Sequence, residues 1–335
     1  MFSAKRFAGQ GGYRSPQVNG KICRRTSTPG ASRTQGSDSM IHISLGQILV
    51  LSCAVCWALA VMLWHRSGET LPAFELNLFK NALGLVLVVP SLLVVNGLAL
   101  PEYPLIDMIV ALLSGFLGIA VADTWYLRAL NVMGASRTGI VASLFSPFVI
   151  ILSVLVLGES LSRWQLPGFV LVMSGILLVT WRQNSEEVSH ESLRRGTLYA
   201  VASVFMMAVG IVMVKELLET RPFLWTVSIR LFGGVAGMLT YMVIRRRWSP
   251  VWARFRQPQP WLWIVSGSFL GSYLSMLLWL AGYRLIPASE ASVLNQTSSA
   301  WIVLFDWLLL GERISGRRLL GLLLTFVGIM VILIV

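Results

Sequence analysis

The sequence predicts an all-α integral membrane protein with ten transmembrane helices in two inverted five-helix repeats. Three observations predict this fold class: an apolar composition, ten long apolar segments and an internal duplication. Of the 335 residues, 56% are hydrophobic and 13% are charged, whereas soluble domains carry about 25% charged residues. A chain with so little charge cannot cover its apolar surface in water, so we expect it to lie in a lipid bilayer.

The apolar segments are each near the length that an α-helix needs to cross about 30 Å of hydrocarbon. They are far longer than the roughly ten alternating residues of a transmembrane β-strand. A helix also satisfies its own backbone hydrogen bonds in lipid. The predicted spans are 44–64, 72–96, 105–130, 137–157, 164–181, 197–218, 222–244, 260–285, 288–310 and 317–335.

The duplication is clearest in a stretch of 22 residues that occurs at 155–176 and again at 308–329, without a gap and with ten identical pairs. The same offset of 153 aligns Phe116 with Phe269. Because five helices is an odd number, the second half enters the membrane from the opposite side, which makes the repeat inverted. The predicted domains are a first five-helix repeat at 44–181, a polar linker at 182–196 and a second repeat at 197–335.

Residues 1–39 form a basic tail with seven Lys and Arg, one acid and no apolar run. The tail lacks the hydrophobic centre of a secretory signal. We interpret it as disordered, or as preceding a true start at Met40, and the protein is then expected in the cell (inner or plasma) membrane. The alternative is an organelle transit peptide, which would place the protein in an organelle envelope.

Most of the remaining basic residues flank apolar segments, which is typical of membrane edges and not of a nucleic-acid-binding face. The expected partners are therefore the lipid bilayer and a small-molecule substrate, with no nucleic acid. Cys53 and Cys56 form a single C-x-x-C inside an apolar run, and only three histidines exist. We interpret both cysteines as core residues and predict no metal site and no cofactor. The sequence has no P-loop for ATP hydrolysis.

The charges of the connecting loops bear on orientation. With a cytoplasmic N-terminus, four Lys and Arg fall in the inside loops and fourteen in the outside loops. The positive-inside rule then favours an N-terminus outside. Adding the seven charges of the tail to the inside reduces the difference to fourteen against eleven, so both orientations stay open.

Two cations lie at matched depths in the two halves. Lys80 is eight residues into the second span, about 12 Å from its start, and at an offset of 150 it aligns with Arg230. Charges inside a membrane are costly and mark functional candidates. Cations at matched positions suit a site for an anionic group. The structural alternative is that Glu75 or Asp123 holds Lys80 and that helix carbonyls hold Arg230.

The third span contains Asp123 and Tyr126, which share a helix face because they are three residues apart. The aligned stretch of the eighth span has Trp279 at the position of Tyr126 and no acid at that of Asp123. An acid in one half only is what proton coupling or a polar substrate would require. A salt bridge from Asp123 to Lys80 is the structural alternative, and the two roles are compatible.

The ninth span is too polar to face lipid, so we expect it to line a cavity. The fourth span aligns with it and holds Pro147, which removes a backbone donor and frees a carbonyl. The predicted substrate-binding residues are Asn77, Lys80, Asp123, Tyr126, Arg230, Trp279, Asn295, Gln296 and Ser299, and Asp123 is the predicted proton-coupling residue.

Tryptophans at the segment ends, such as Trp64, Trp248 and Trp261, predict aromatic belts at the membrane interfaces. Two G-x-x-x-G motifs, at 233–237 and 267–271, predict close helix contacts and leave room for a homodimer.

Both halves contain the pattern L-G-E-x-x-S-x(5)-G, at 157–168 and 310–321, and both carry a cation after a proline in their second helix. With the helix count, these motifs resemble the drug/metabolite transporter superfamily, specifically a chain with two EamA-type domains, over residues 44–335. The resemblance implies an exporter or exchanger of small metabolites, alternating access and cytoplasmic termini. Lys80 stands where such proteins usually have arginine. The superfamily transports amino acids, amines, nucleotide sugars and drugs, so the resemblance implies no single cargo.

The leading hypothesis is a secondary transporter, not an enzyme, for a polar or amphipathic metabolite such as an amino acid. One alternative is a membrane-embedded enzyme acting on lipid-like substrates, which would need acids or histidines clustered at one interface. Glu159 and Glu312 do not supply this cluster, because an inverted repeat places them on opposite sides of the membrane. The other alternative is a non-transporting scaffold, which the polar ninth span does not fit.

Overall fold

Helices and their connections make up the described part of the chain. The computed structural model describes residues 43–66, 71–97, 101–133, 138, 141–160, 165–180, 190–310 and 315–334. The predicted tail at 1–39 lies outside these residues. Ile41–Val335 form one compact unit. No β-strand occurs among the described residues.

Prolines start several of the helices, as expected from a residue that has a fixed φ and no backbone donor. Pro72, Pro222, Pro260 and Pro287 each stand directly before a helix. In the described ranges the α-helices are α1 Leu45–Arg66, α2 Ala73–Asn96, α3 Leu105–Gly115, α4 Asp123–Met133, α5 Phe145–Leu152, α6 Gln165–Thr180, α7 His190–Thr220, α8 Phe223–Ile244, α9 Trp248–Arg256, α10 Trp261–Ser268, α11 Ser275–Leu285, α12 Ala288–Asn295, α13 Ser298–Leu310 and α14 Gly316–Ile334.

Three short π-helical segments continue these helices: Phe116–Ala122 between α3 and α4, Ser153–Leu157 after α5, and Phe269–Leu274 between α10 and α11. Six helical stretches among the described residues are long and apolar enough to cross a membrane. They are Leu45–Trp64, Ala73–Val95, Leu105–Ala129, His190–Thr220, Phe223–Ile244 and Trp261–Leu285. Shorter apolar helices occur at Phe145–Leu157, Gln165–Leu178 and Leu319–Leu333. The chain is thus an all-helical membrane protein, and its ten crossings stay a prediction.

Some predicted spans differ from the structure by a break or by more than a few residues at one end. The span predicted at 288–310 is broken at Gln296 and Thr297 into α12 and α13, where the Gln296 side chain bonds to another helix. The span predicted at 197–218 extends back to His190 as part of α7. Its first two turns are polar and are supported by an exposed Glu191–Arg195 ion pair at i,i+4 spacing. Residues 190–196 of the predicted linker are therefore helical.

Irregular backbone occurs at matched positions of the two halves. The π-segments begin at Phe116 and at Phe269, which are 153 residues apart. Non-helical turns occur at residues 143–144 and again at 296–297, also 153 apart. The sequence offset found in the repeated motif is thus reproduced in the backbone.

Helices α6 and α14, which contain the repeated glycines, pack closely on each other. A Cβ on Gly168 would lie 3.1 Å from the Gly328 carbonyl oxygen, and one on Gly175 would lie 2.6 Å from the Gly321 carbonyl oxygen. The partner number falls as the residue number rises, so the two helices run antiparallel. Only glycine allows the backbones to approach this closely.

Glycines also join each half to the other. A Cβ on Gly84 of α2 would lie 2.7 Å from the Ser272 carbonyl oxygen in the second half. The aligned Gly234 of α8 packs on Ile119 in the first half, at 2.7 Å from such a Cβ. Each half therefore places its second helix against the π-segment of the other half.

Side-chain contacts pair the helix ends into two groups. One group joins the start of α1 to α12, the end of the Ser153–Leu157 segment to α12, and the end of α7 to α3. Its contacts are Gln47 Nε2 to Glu290 Oε1 at 2.7 Å, Ser289 Oγ to Glu159 Oε2 at 2.7 Å, and Arg221 Nε to Asp107 Oδ2 at 2.6 Å. The other group joins the start of α2 to the end of α8 through Phe74 and Tyr241, whose ring centroids are 5.4 Å apart.

Candidate substrate site

The first π-segment, Phe116–Ala122, opens the backbone directly before Asp123. Asn77 on α2 is fully buried, and its Nδ2 donates to the Ile119 carbonyl at 3.0 Å. Thr124 Oγ1 donates to the Ala120 carbonyl at 2.6 Å. π-bulges are frequent at functional sites because they release backbone groups for other partners. Here the carbonyls of Ile119 and Ala120 accept hydrogen bonds from Asn77 and Thr124, which are neighbours of Asp123.

Lys80 and Asp123 form a buried ion pair. Lys80 Nζ lies 2.7 Å from Asp123 Oδ2, and the two side chains are 7% and 19% exposed. The ammonium also lies 6.0 Å from the ring centroids of Trp57 and Trp64, within the range of a cation–π interaction. Of the two acids predicted as partners for Lys80, the structure pairs it with Asp123. Glu75 is buried in the first turn of α2, where the helix dipole favours an acid.

Trp64, which the sequence assigns to an interface belt, is half-buried at the end of α1 and packs on a neighbouring helix. Its ring fills the space over Gly267 and Gly271, where a Cβ would lie 2.7 Å and 2.6 Å from ring atoms. This G-x-x-x-G motif therefore holds an aromatic ring beside Lys80. The other motif packs on α3 and its continuation: a Cβ on Gly233 would lie 2.8 Å from the Leu112 Cα.

Arg230 is a fully buried cation at the matched position in the second half. Its side chain is 1% exposed. Nη1 donates to Ser114 Oγ and, at 3.0 Å, to the Gly210 carbonyl, so the carbonyl partner predicted for it is present. The guanidinium carbon lies 5.7 Å from the Trp279 ring centroid.

The donors of Arg230 are not all used. Its Nε is buried and has no hydrogen-bond partner. Among the described residues, no acid lies within ion-pair distance of its guanidinium, although Asp123 acts on it at longer range. A Cβ on Gly118 would lie 2.9 Å from Nη2, so this glycine makes room for the guanidinium. A buried charge without a counter-ion is costly, so an anion at this position would be stabilised.

The structure joins some of the predicted site residues and separates others. Asn77, Lys80 and Asp123 form one cluster, and half-buried Tyr126 interacts electrostatically with Asp123. Arg230 and Trp279 form a second pair. The remaining predicted residues, Asn295, Gln296 and Ser299, lie at the break between α12 and α13.

That break is held by a contact between the two halves. Gln296 Nε2 donates to the carbonyls of Ala142 at 3.1 Å and Ser143 at 3.3 Å. The Ser143 carbonyl is the group that Pro147 leaves without a helical donor, as the sequence predicts. Ser146 Oγ donates to the Ser292 carbonyl at 2.9 Å. Asn295 accepts from Cys53 Sγ at 3.5 Å.

Glu159, for which the sequence predicts an interfacial position and no partner, makes a structural contact with α12. Its carboxylate accepts from the Ala288 backbone N–H at 2.6 Å and the Ser289 backbone N–H at 3.0 Å. Ser289 Oγ also donates to it. An acid at a helix start satisfies free N–H groups and favours the helix dipole. The repeated L-G-E motif of the first half therefore caps α12 of the second half.

Comparison with known proteins assigns the chain to a family. The model of the EamA-like transporter family matches residues 44–181 and 194–334. The chain belongs to the EamA-like transporter family. It is therefore a member of the drug/metabolite transporter superfamily that its motifs resemble.

Two relatives and one solved structure are similar to this chain over different shares of its length. An uncharacterized transporter of Archaeoglobus fulgidus is 23% identical over 85% of this chain and 97% of its own length. The pseudopaline exporter of Pseudomonas aeruginosa is 31% identical over 42% of this chain and 46% of its own length. A solved crystal structure covers 85% of this chain and 95% of its own with a TM-score of 0.71 at 16% identity, which shows a shared fold.

Proposed function

We propose that this EamA-like protein is a secondary transporter, an exporter or exchanger, for a small metabolite that carries an anionic group. Its cargo is a polar or amphipathic compound such as an amino acid. The protein moves this cargo by alternating access between two inverted five-helix repeats. The observation that carries the proposal is Arg230, a buried guanidinium with an unused donor and no acid within ion-pair distance in the described part of the chain.

The antiparallel contact of α6 with α14 supports an inverted repeat. These helices contain the two copies of the repeated motif, and repeats related by an axis along the membrane normal would make them parallel. The contacts at the helix ends support ten crossings, because each joins ends that ten alternating spans place on the same side. Gln47–Glu290 and Arg221–Asp107 fall on the side of the first helix start, and Phe74–Tyr241 on the other.

The two cations have different roles in this proposal. Arg230 is available to an anionic group of the cargo, since a guanidinium presents several donors to a carboxylate or phosphate. Lys80 is already neutralised by Asp123, so its positive charge becomes available only when Asp123 is protonated. Asp123 can thus couple proton binding to cargo binding. Trp57, Trp64 and Trp279 offer aromatic surface for the apolar part of the cargo.

The family relationship supports transport of a small molecule. One relative is named as a transporter and another as a pseudopaline exporter. A lipid-modifying enzyme would need acids or histidines clustered at one interface. Glu159 does not support such a site, because its carboxylate already caps α12. Polar side chains that bridge the halves, such as Gln296, disfavour a scaffold with a sealed apolar interior.

The test is transport by the purified full chain in sealed liposomes. A pool of carboxylates, phosphates, amino acids and amines is supplied on one side, with and without a pH gradient, and movement is followed by mass spectrometry. A second set of vesicles is loaded with the same pool to supply an exchange partner. Movement of one anionic class above protein-free vesicles is expected. If folded, inserted protein moves nothing in either set, the transporter proposal is wrong and the scaffold hypothesis gains support.

A further inference from the structure

A cluster of exposed arginines surrounds α9, the short helix between α8 and α10. Arg245, Arg246 and Arg247 follow the end of α8, and Arg254 and Arg256 lie in α9; all five are exposed. Arg128 joins them from α4, because Arg128 and Arg247 both lie close enough to the Tyr241 hydroxyl to interact with it electrostatically. We call these six residues the arginine patch.

The five arginines of the patch at 245–256 have no acid near them in the sequence. Residues 220–289 contain no Asp or Glu. The ion pairs found among the described residues include none of the six arginines. Arginines at the ends of membrane helices that form no ion pair in the described part of the chain require an anionic partner or exposure to water.

Helix α9 is amphipathic and bears aromatic side chains. Val251 is 1% exposed and anchors the helix. Phe255 packs on Phe79 of α2, with ring centroids 6.2 Å apart. Trp248 and Trp252 are 50% and 47% exposed, and their ring centroids lie 6.0 Å apart. Half-exposed tryptophans are typical of the headgroup layer of a membrane.

The arginines of α9 flank this apolar stripe. At about 100° per residue, Arg254 and Arg256 fall on opposite sides of the stripe formed by Trp248, Val251, Trp252 and Phe255. A helix with an apolar stripe between basic edges lies in the plane of the membrane interface. Its arginines then reach phosphates in the headgroup layer, which guanidinium groups bind with two parallel hydrogen bonds.

We propose that the arginine patch and α9 form a binding surface for anionic phospholipid headgroups. The occupant is a membrane lipid, because α9 lies between the end of α8 and the start of α10 and its tryptophans enter the same layer as its arginines. This inference does not depend on the transported cargo or on the transport mechanism.

The experiment compares phosphatidylglycerol with phosphatidylcholine of the same acyl chains. The purified full chain is titrated with each lipid, and bound lipid is counted by native mass spectrometry. The wild type is expected to bind phosphatidylglycerol about fivefold more tightly or better, since each arginine near an anionic lipid contributes an effect of that order. Equal binding of the two lipids would overturn the proposal.

Two variants with equal loss of charge locate the surface. Arg254→Gln with Arg256→Gln is expected to lose most of the preference for phosphatidylglycerol. Arg194→Gln with Arg195→Gln, at exposed positions of α7, is expected to retain it. If both pairs lower binding equally, net charge explains the preference and the proposal is wrong.

Two further arms keep the result decisive. Thermal melts establish that the variants are folded, and the triple change Arg245→Gln, Arg246→Gln, Arg247→Gln replaces the α9 pair if that pair does not fold. Soluble glycerol phosphate is added as a competitor. If it displaces phosphatidylglycerol at equal concentration, the surface binds free phosphate compounds and the assignment to membrane lipid fails.

Discussion

The Lys80 ammonium lies 2.7 Å from the Asp123 carboxylate, and Asp123 is the acid that acts at longer range on Arg230. One carboxylate therefore serves two cations, one from each half of the chain. Protonation of Asp123 would leave both cations without a nearby negative charge. In the proposed mechanism, this arrangement connects protonation of Asp123 to the affinity of the interior for an anion.

Replacing Asp123 with Asn is expected to abolish the response of transport to a pH gradient, because the amide cannot exchange a proton. The amide oxygen can still accept from Lys80, so the protein is expected to fold with a stability loss of about 1–3 kcal/mol. The measurement is uptake with and without a pH gradient, beside a thermal melt. Asp107→Asn is the matched control, since Asp107 is also in an ion pair, with Arg221 at 2.6 Å. An unchanged pH response in Asp123→Asn would exclude the coupling role.

The contact between α6 and α14 predicts the effect of a single methyl group. Gly175→Ala is expected to lower the free energy of unfolding by about 1–3 kcal/mol, because the added Cβ would lie 2.6 Å from the Gly321 carbonyl oxygen. Gly316→Ala in α14 is the control, since nothing lies within 4 Å of a Cβ there. Thermal unfolding followed by tryptophan fluorescence gives both values. Equal melting temperatures of the two variants would show that Gly175 is not required for the close packing of α6 on α14.

The cap on α12 predicts the effect of removing Glu159. Glu159→Ala is expected to cost about 1–2 kcal/mol of unfolding free energy, because two backbone donors and the Ser289 hydroxyl lose their acceptor. Glu159→Gln should lose less, since its amide oxygen still accepts. Glu191→Ala removes an exposed acid from α7 and should change stability little. A Glu159→Ala protein as stable as the Glu191→Ala control would argue against the cap.

The sequence predicted features that depend on position along the chain. The offset of 153 found in the repeated motif recurs in the backbone, where it relates the two π-segments and the two helix breaks, although the sequence did not predict these irregularities themselves. Pro147 predicted a freed carbonyl, and the Ser143 carbonyl indeed bonds to Gln296. The depth of Lys80 and its alignment with Arg230 marked two buried cations. Each of these follows from local chemistry or from the repeat.

Features that depend on packing could not be predicted in this way. A tryptophan near a segment end, such as Trp64, is typical of an interface belt. Only the structure shows that its ring packs on Gly267 and Gly271. Ser114 and Gly210, which bond to Arg230, carry no sequence signal that separates them from other small residues. The cap by Glu159 joins helices 129 residues apart in the chain. The choice between Glu75 and Asp123 as the partner of Lys80 was decided by a distance, not by a pattern.

Arg230 is the residue proposed to select an anionic cargo, and one comparison of two substrates isolates this role. Uptake of a transported carboxylate and of its neutral methyl ester is measured for the wild type, for Arg230→Met and for Arg195→Met, which alters an exposed arginine. We predict that Arg230→Met raises KM for the carboxylate by about ten- to a hundredfold and leaves the ester unchanged, while Arg195→Met behaves as the wild type. Equal transport of acid and ester by the wild type, or full discrimination retained in Arg230→Met, would contradict the assignment of Arg230 to cargo binding.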